Sequence, residues 1–328
     1  MSRRSLVLAV VAALVLAACS TASNTGEPGA VDGATADADE LEAAVASYDV
    51  AVGPASRFIV GLFDPEKGNV GYGRVRLRFS FLGTKEAPRQ AEKGPTATAA
   101  FLPLPGSGPP QAPEGPALLR PSEGRGVYAA QVAFDRPGFW EVRVSAALRG
   151  VGTRSATAAF TVLPRHAVPA PGDAAPASEN LTVPSSSAPP AAVDSRAGPD
   201  QPVPDPELHQ TTIAQAVRDR VPALVVFSTP TFCTSRFCGP VTDMVAQLAR
   251  DHPDRARYIH VEIWEDFEKK QLNEAAAEWL TRNGGEGNEP WVFLIGADGK
   301  VAARWDNVAT PGEIEPLLRQ LPPIGTAG

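Results

Sequence analysis

The chain has 328 residues, a net charge of −7 at pH 7, and an abundance of proline (33) and glycine (29). That length predicts two domains with connecting segments. An acidic balance without a long basic run argues against nucleic acid as a partner.

Residues 1–18 read as an export signal: Ser2-Arg3-Arg4 is a charged start, and Leu6 to Leu16 is an apolar core too short to span a bilayer. The stretch Leu16-Ala17-Ala18-Cys19 resembles the lipobox of bacterial lipoproteins. The resemblance implies cleavage before Cys19, lipidation of its thiol, and a chain held on the extracytoplasmic side of the cell membrane by several acyl chains. Ser2-Arg3-Arg4-Ser5-Leu6 also resembles a twin-arginine signal, although a plain basic start is the favoured account. Residues 19–54, rich in Ala, Asp, Glu and Gly, are expected to form a flexible acidic tether, with room for one short helix at Asp39–Tyr48.

Residues 55–164 read as strands. Arg57 to Phe63 is one run, and Val75, Leu77, Phe79 and Phe81 alternate with Arg74, Arg76, Arg78 and Ser80, which predicts one buried and one wet face. Further strands are expected at Thr96–Leu102, Gly126–Phe134, Gly138–Leu148 and Ser155–Leu163, with a turn at Asp135-Arg-Pro-Gly138. Short strands with Pro/Gly turns predict an all-β immunoglobulin-like sandwich. The segments Gly126–Phe134 and Pro137–Val144 resemble the small exported YtkA-like domains. Phe139 and Trp140 are assigned to the core, and the Arg74/Arg76/Arg78 ladder to a solvated face. Residues 165–206, rich in Pro, Ala and Ser, are expected to be an extended linker.

Residues 207–328 alternate between strand and helix patterns. Thr212-Ile-Ala-Gln215 predicts a capping box, and Ala223–Ser228 a strand buried on both faces. A helix is expected over Val241–Ala249, a strand over Arg257–Trp264 and a helix over Gln271–Leu280. Trp291–Ile295 and Val301–Trp305, joined through Ala297-Asp-Gly299, predict a hairpin. A last helix follows Thr310, shortened or kinked by Pro316. The run Glu262, Glu265, Asp266, Glu268 reads as a solvated edge, and His260 as a structural histidine on a core strand.

The chemistry is concentrated in Phe232-Cys233-Thr234-Ser235-Arg236-Phe237-Cys238-Gly239-Pro240, between the apolar strand and the next helix. Of three cysteines, lipid on Cys19 leaves Cys233 and Cys238 as the remaining pair in an oxidising compartment. Five residues along a straight helix is about 7.5 Å of rise, beyond the roughly 4.4–6.8 Å between Cα atoms that a disulfide tolerates. Cys233 is therefore expected in a turn folded back over Cys238. The positive end of the helix dipole favours a thiolate there, and Arg236 adds charge of the same sign.

Two cysteines after the first core strand, with Pro290 just before the hairpin, resemble the thioredoxin superfamily over residues 208–322. The resemblance implies an α/β thioredoxin-like C-terminal domain behind the sandwich, and an extracytoplasmic thiol–disulfide oxidoreductase acting on protein thiols and disulfides, without a cofactor. It assigns Cys233 as nucleophile, Cys238 as resolving cysteine and Pro290 as a cis-proline, beside Arg236, whose charge makes it the expected thiolate stabiliser. The sequence departs from the family in having four residues between the cysteines, which changes the reduction potential. It also has Val226 where many members bury an acid.

Three other readings compete. Some peroxiredoxins pair cysteines four residues apart, but Val226 and Pro230 replace the proline and hydroxyl residue of their motif. Sco-type copper carriers pair thiolates suited to Cu(I) with a distal histidine, which makes a copper-binding assembly factor the alternative function. No histidine is placed beside the cysteines, and no metal ligand is assigned. The remaining reading is a binding module with an inert structural disulfide.

Overall fold

Strict alternation shapes the first half of the molecule. In the computed structural model, which describes residues 41–66, 68–107, 112–120, 125–184, 187–199 and 201–325, Val75, Leu77, Phe79 and Phe81 point into a core while Arg74, Arg76 and Arg78 are exposed. Their strand is one of nine: β1 Glu42–Val45, β2 Ser56–Asp64, β3 Gly68–Gly71, β4 Arg74–Gly83, β5 Pro88–Pro103, β6 Ala117–Leu119, β7 Gly126–Val132, β8 Gly138–Leu148 and β9 Gly152–Val162. All pair antiparallel in one sheet of order β6-β3-β2-β7-β5-β4-β8-β9, with β1 also on β2.

This corrects the expected fold class. The immunoglobulin-like sandwich, which needs two separate sheets, is replaced by one continuous nine-stranded sheet. The reason lies in β5, whose sixteen residues pair with β4 as far as Ala100 and with β7 from Ala100 onward. Gly94 keeps it close: a Cβ there would come within 2.6 Å of the Trp140 ring. The sheet curls until Phe58 of β2 meets Phe160 of β9, ring centroids 5.1 Å apart, over a core that includes Phe79, Phe134 and Trp140.

The second half contains α1 Pro190–Val193, a 3-10 turn Pro206–His209, α2 Ile213–Arg218, β10 Ala223–Ser228, α3 Cys238–Asp251, β11 Arg257–Glu262, β12 Trp264–Asp266, β13 Gln271–Leu272, α4 Glu274–Leu280, β14 Trp291–Ile295, β15 Val301–Asp306 and α5 Pro311–Gln320. A four-stranded sheet of order β11-β10-β14-β15 pairs β10 parallel to β11 and antiparallel to β14. β10 is buried along its whole length because both faces are covered. Val225 and Phe227 pack with Trp279 of α4, while Leu224 and Val226 pack with Val245 of α3 and Ile314 of α5.

The expected second domain, an independent thioredoxin-like α/β body, is corrected along with the first. Strand exceeds helix, 39% to 16% of the described residues, and those residues fall within one compact unit. Local detail moved too. Gln271 and Leu272 pair with β12, so α4 starts only at Glu274, capped by the Asn273 side chain. The possible helix at Asp39–Tyr48 is instead the strand β1 where it is described, because Glu42–Val45 finds β2 to pair with.

Two segments read as flexible are packed where they are described. In the stretch 165–206, Val168 and Ala175 join the core beneath β14. Gly172 donates its N–H to Val301 O at 2.8 Å, and Val301 donates back to Asp173 O at 2.9 Å. The halves are also pinned together. Arg57 of β2 reaches Asp306 Oδ1 at 3.0 Å and Glu313 Oε1 at 2.9 Å, and Asp49 binds Arg304 at 2.7 Å. Ile59, Leu104, Val127 and Val308 form a small apolar cluster with Phe237 packed against it. The nine-stranded sheet thereby abuts the residue that opens α3.

Candidate functional site

The loop from Thr229 to Phe237 carries the chain from the end of β10 into α3. Its ends are tied by hydroxyls. Ser228 Oγ lies 2.6 Å from Thr242 Oγ1, which donates to Cys238 O at 2.8 Å. Arg236 sits in the left-handed region at φ 62° and turns the chain back toward the helix. Gly239 and Pro240 fall in the first helical turn, where an N–H lacks an intrahelical partner in any case.

Cys233 and Cys238 form a disulfide with Cα atoms 6.0 Å apart. The two sulfurs differ in setting. Cys238, the first residue of α3, is fully buried, while Cys233 is partly exposed in the loop. Cys233 Sγ accepts from the Cys238 backbone N–H at 3.4 Å and lies 3.2 Å from Ser235 Oγ. A helix N-terminus and a hydroxyl therefore converge on the outer sulfur, an arrangement that stabilises a thiolate. Arg236 is exposed and makes no ion pair among the described residues.

The Glu289–Pro290 peptide bond is cis, and Pro290 is buried at the entrance to β14. It brings in a residue that sequence reasoning passed over. A Glu289 carboxylate oxygen and the two Sγ atoms all lie within 4.8 Å of one another. Burial, and then the neighbouring Glu262, push the Glu289 carboxyl above its ordinary range. Val226 is indeed apolar and buried, but acids approach from β11 and from the loop before β14. Glu262, expected on a solvated edge, is 1% exposed. Its carboxylate accepts from Ser195 N at 2.8 Å and Ile263 N at 3.0 Å. The sequence signal was its position closing the strand stretch Tyr258-Ile-His-Val261, which is apolar except for His260.

An aromatic cluster forms at Phe232, the residue before Cys233. Phe232 stacks on Phe267 with centroids 3.9 Å apart, Trp264 meets Phe267 edge-on, and Lys270 Nζ sits 3.5 Å above the Phe267 ring. His260 lies on β11 with Nε2 3.2 Å from Ser228 O; it is not part of the cluster around the cysteines, whose third potential ligand is Glu289. Cys19 falls outside the described residues. Among those described, no helix is long and apolar enough to cross a membrane.

No family model and no curated protein matches the chain. Among solved structures, a β-glucosidase from Kluyveromyces marxianus aligns at 14% identity over 38% of this chain and 14% of that one, with a TM-score of 0.18. A likeness that slight carries no argument about fold or activity.

Proposed function

We propose that the chain exchanges thiols and disulfides with protein substrates through Cys233 and Cys238. The observation that carries this reading is the unequal pair: an accessible sulfur under a helix N-terminus, bonded to a buried one beside Glu289. A substrate thiolate attacks Cys233 Sγ. The Sγ–Sγ bond breaks, and its electron pair leaves on Cys238 Sγ, which takes a proton from the Glu289 carboxyl, a group that burial and then Glu262 push toward its protonated form. A second substrate thiolate then attacks the substrate sulfur of the mixed disulfide and releases Cys233 as a thiolate held by the Cys238 N–H. The substrate is oxidised by two electrons and the pair is reduced; run backwards, the steps reduce a substrate disulfide. The stacked Phe232 and Phe267 offer an apolar rest for an incoming chain. The lipobox at Cys19 supports placing this chemistry at the outer face of a membrane.

Trapping tests the reading. In the reducing direction Cys233 thiolate attacks a substrate disulfide and Cys238 resolves the mixed disulfide, so Cys238→Ser should accumulate partner proteins on Cys233, and Cys233→Ser should hold few. The reverse pattern would assign the attack to Cys238. Absence of trapping by either variant, with no oxidation of a model dithiol by the wild-type chain, would reject exchange.

A further inference from the structure

Away from the cysteines, three buried side chains converge from separate parts of the chain. Asp194 follows α1, His209 closes the 3-10 turn and His260 lies on β11; none is more than 1% exposed. Asp194 Oδ2 is 3.4 Å from His209 Nε2 and 3.3 Å from His260 Nδ1, and the three donor atoms all lie within 4.8 Å of one another. Neither approach has hydrogen-bond geometry: His209 Nδ1 and Nε2 and His260 Nδ1 are buried without a hydrogen-bond partner. Buried polar nitrogens are ordinarily satisfied, so the two that face one carboxylate, His209 Nε2 and His260 Nδ1, need an explanation.

We propose that Asp194, His209 and His260 bind a divalent transition-metal ion of the zinc class. Ligands at about 2.0–2.2 Å from a tetrahedral ion stand roughly 3.3–3.5 Å apart, the separation found here between the carboxylate oxygen and each imidazole nitrogen. Two imidazoles and a carboxylate are a donor set such ions prefer. The outer shell fits at His260 and at Asp194. His260 directs Nε2 to the Ser228 carbonyl, which leaves Nδ1 with the lone pair, as metal-bound histidines use a backbone carbonyl to fix their tautomer. Arg196 grips the carboxylate from outside, Nε to Oδ1 at 3.0 Å and Nη2 to Oδ2 at 2.7 Å. The ion would clamp the segment from Asp194 to His209 onto β11. That segment touches the cysteine loop, because Ser195 bonds both the N–H and the hydroxyl of Thr231.

The test uses untagged full-length chain with its disulfide intact, so that the cysteines offer no free thiolate. After treatment with chelator, the protein is dialysed against zinc, and bound metal and melting temperature are measured. One ion per chain and a raised melting temperature are expected, with cobalt giving a tetrahedral d–d band free of thiolate charge transfer. Binding should persist in Cys233→Ser/Cys238→Ser and fall from one ion to none in His209→Gln. If His209→Gln fails to fold, the wild-type stoichiometry and cobalt spectrum decide. No zinc uptake with an unshifted melting temperature, a thiolate band in the cobalt spectrum, or full uptake by folded His209→Gln would overturn the proposal.

Discussion

The Tyr48 hydroxyl donates a 2.9 Å hydrogen bond to the carbonyl oxygen of Glu289, across 241 residues of chain. Tyr48 precedes β2, and Glu289 precedes the cis-proline beside the disulfide. The N-terminal sheet therefore supports the backbone that forms one wall of the cysteine site. Tyr48→Phe keeps the ring against Trp291, 6.0 Å between centroids, and removes only this bond. It should lower stability by about 1 kcal/mol in chemical denaturation and speed amide exchange around Glu289. Unchanged exchange there would mean that the bond does not hold the loop.

Arg57 ties the two halves together through several oxygens at once. It contacts both side-chain and backbone oxygens of Asp306, the Glu313 carboxylate and the Val308 carbonyl. Its side chain and that of Asp306 are 9% and 8% exposed. Arg57→Met should therefore destabilise by about 3–5 kcal/mol, because Asp306 is left buried without its cation. Denaturant titration reads this directly, and a loss below about 1 kcal/mol would show that the pair is solvated in solution.

Glu289 gives stability a pH dependence of known sign. Its folded pKa is raised above the ordinary 4.5, first by burial and then by Glu262. The neutral form is the one the fold favours, so its contribution is complete below the unfolded value and is lost as pH rises through the folded one. Wild-type melting temperature, measured against Glu289→Gln, should fall as pH climbs above 4.5. A difference that stays flat with pH would place the carboxyl in solvent. Reduction of the disulfide should also become slower in Glu289→Gln, because Cys238 leaves without its proton donor.

The C-terminal elements do not complete their core alone. Val168 and Ala175 lie within it, and Ser195 satisfies Glu262. A fragment of residues 207–328 should melt below the intact chain by circular dichroism, and extending it back to residue 165 should recover part of the loss. Equal melting of the short fragment and the whole chain would show that the preceding segment adds nothing.

Local pattern by itself determined much of this protein. The alternation in β4, the continuous apolar run of β10, the Thr212 cap of α2, whose hydroxyl accepts from Gln215 N at 3.0 Å, and the order strand, cysteine pair, helix, proline are all readable because their causes lie within a few residues. A separation of five positions between the cysteines likewise forced the loop that lets them meet. Tertiary structure decided the rest. Whether strands form one sheet or two depends on what the far end of β5 pairs with, and no local period records that. Apolar residues spaced through a Pro/Ala/Ser stretch carry no helix or strand signal, yet Val168 and Ala175 find a core to enter. The burial of Glu262 and Glu289 was hidden for the same reason: a carboxylate looks solvated in sequence, and only the backbone donors and neighbouring chain supplied from elsewhere make its burial sustainable. Asp194, His209 and His260 are separated by fifteen and fifty-one positions, and it is the folding of the 190–209 segment onto β11 that turns three isolated residues into one cluster.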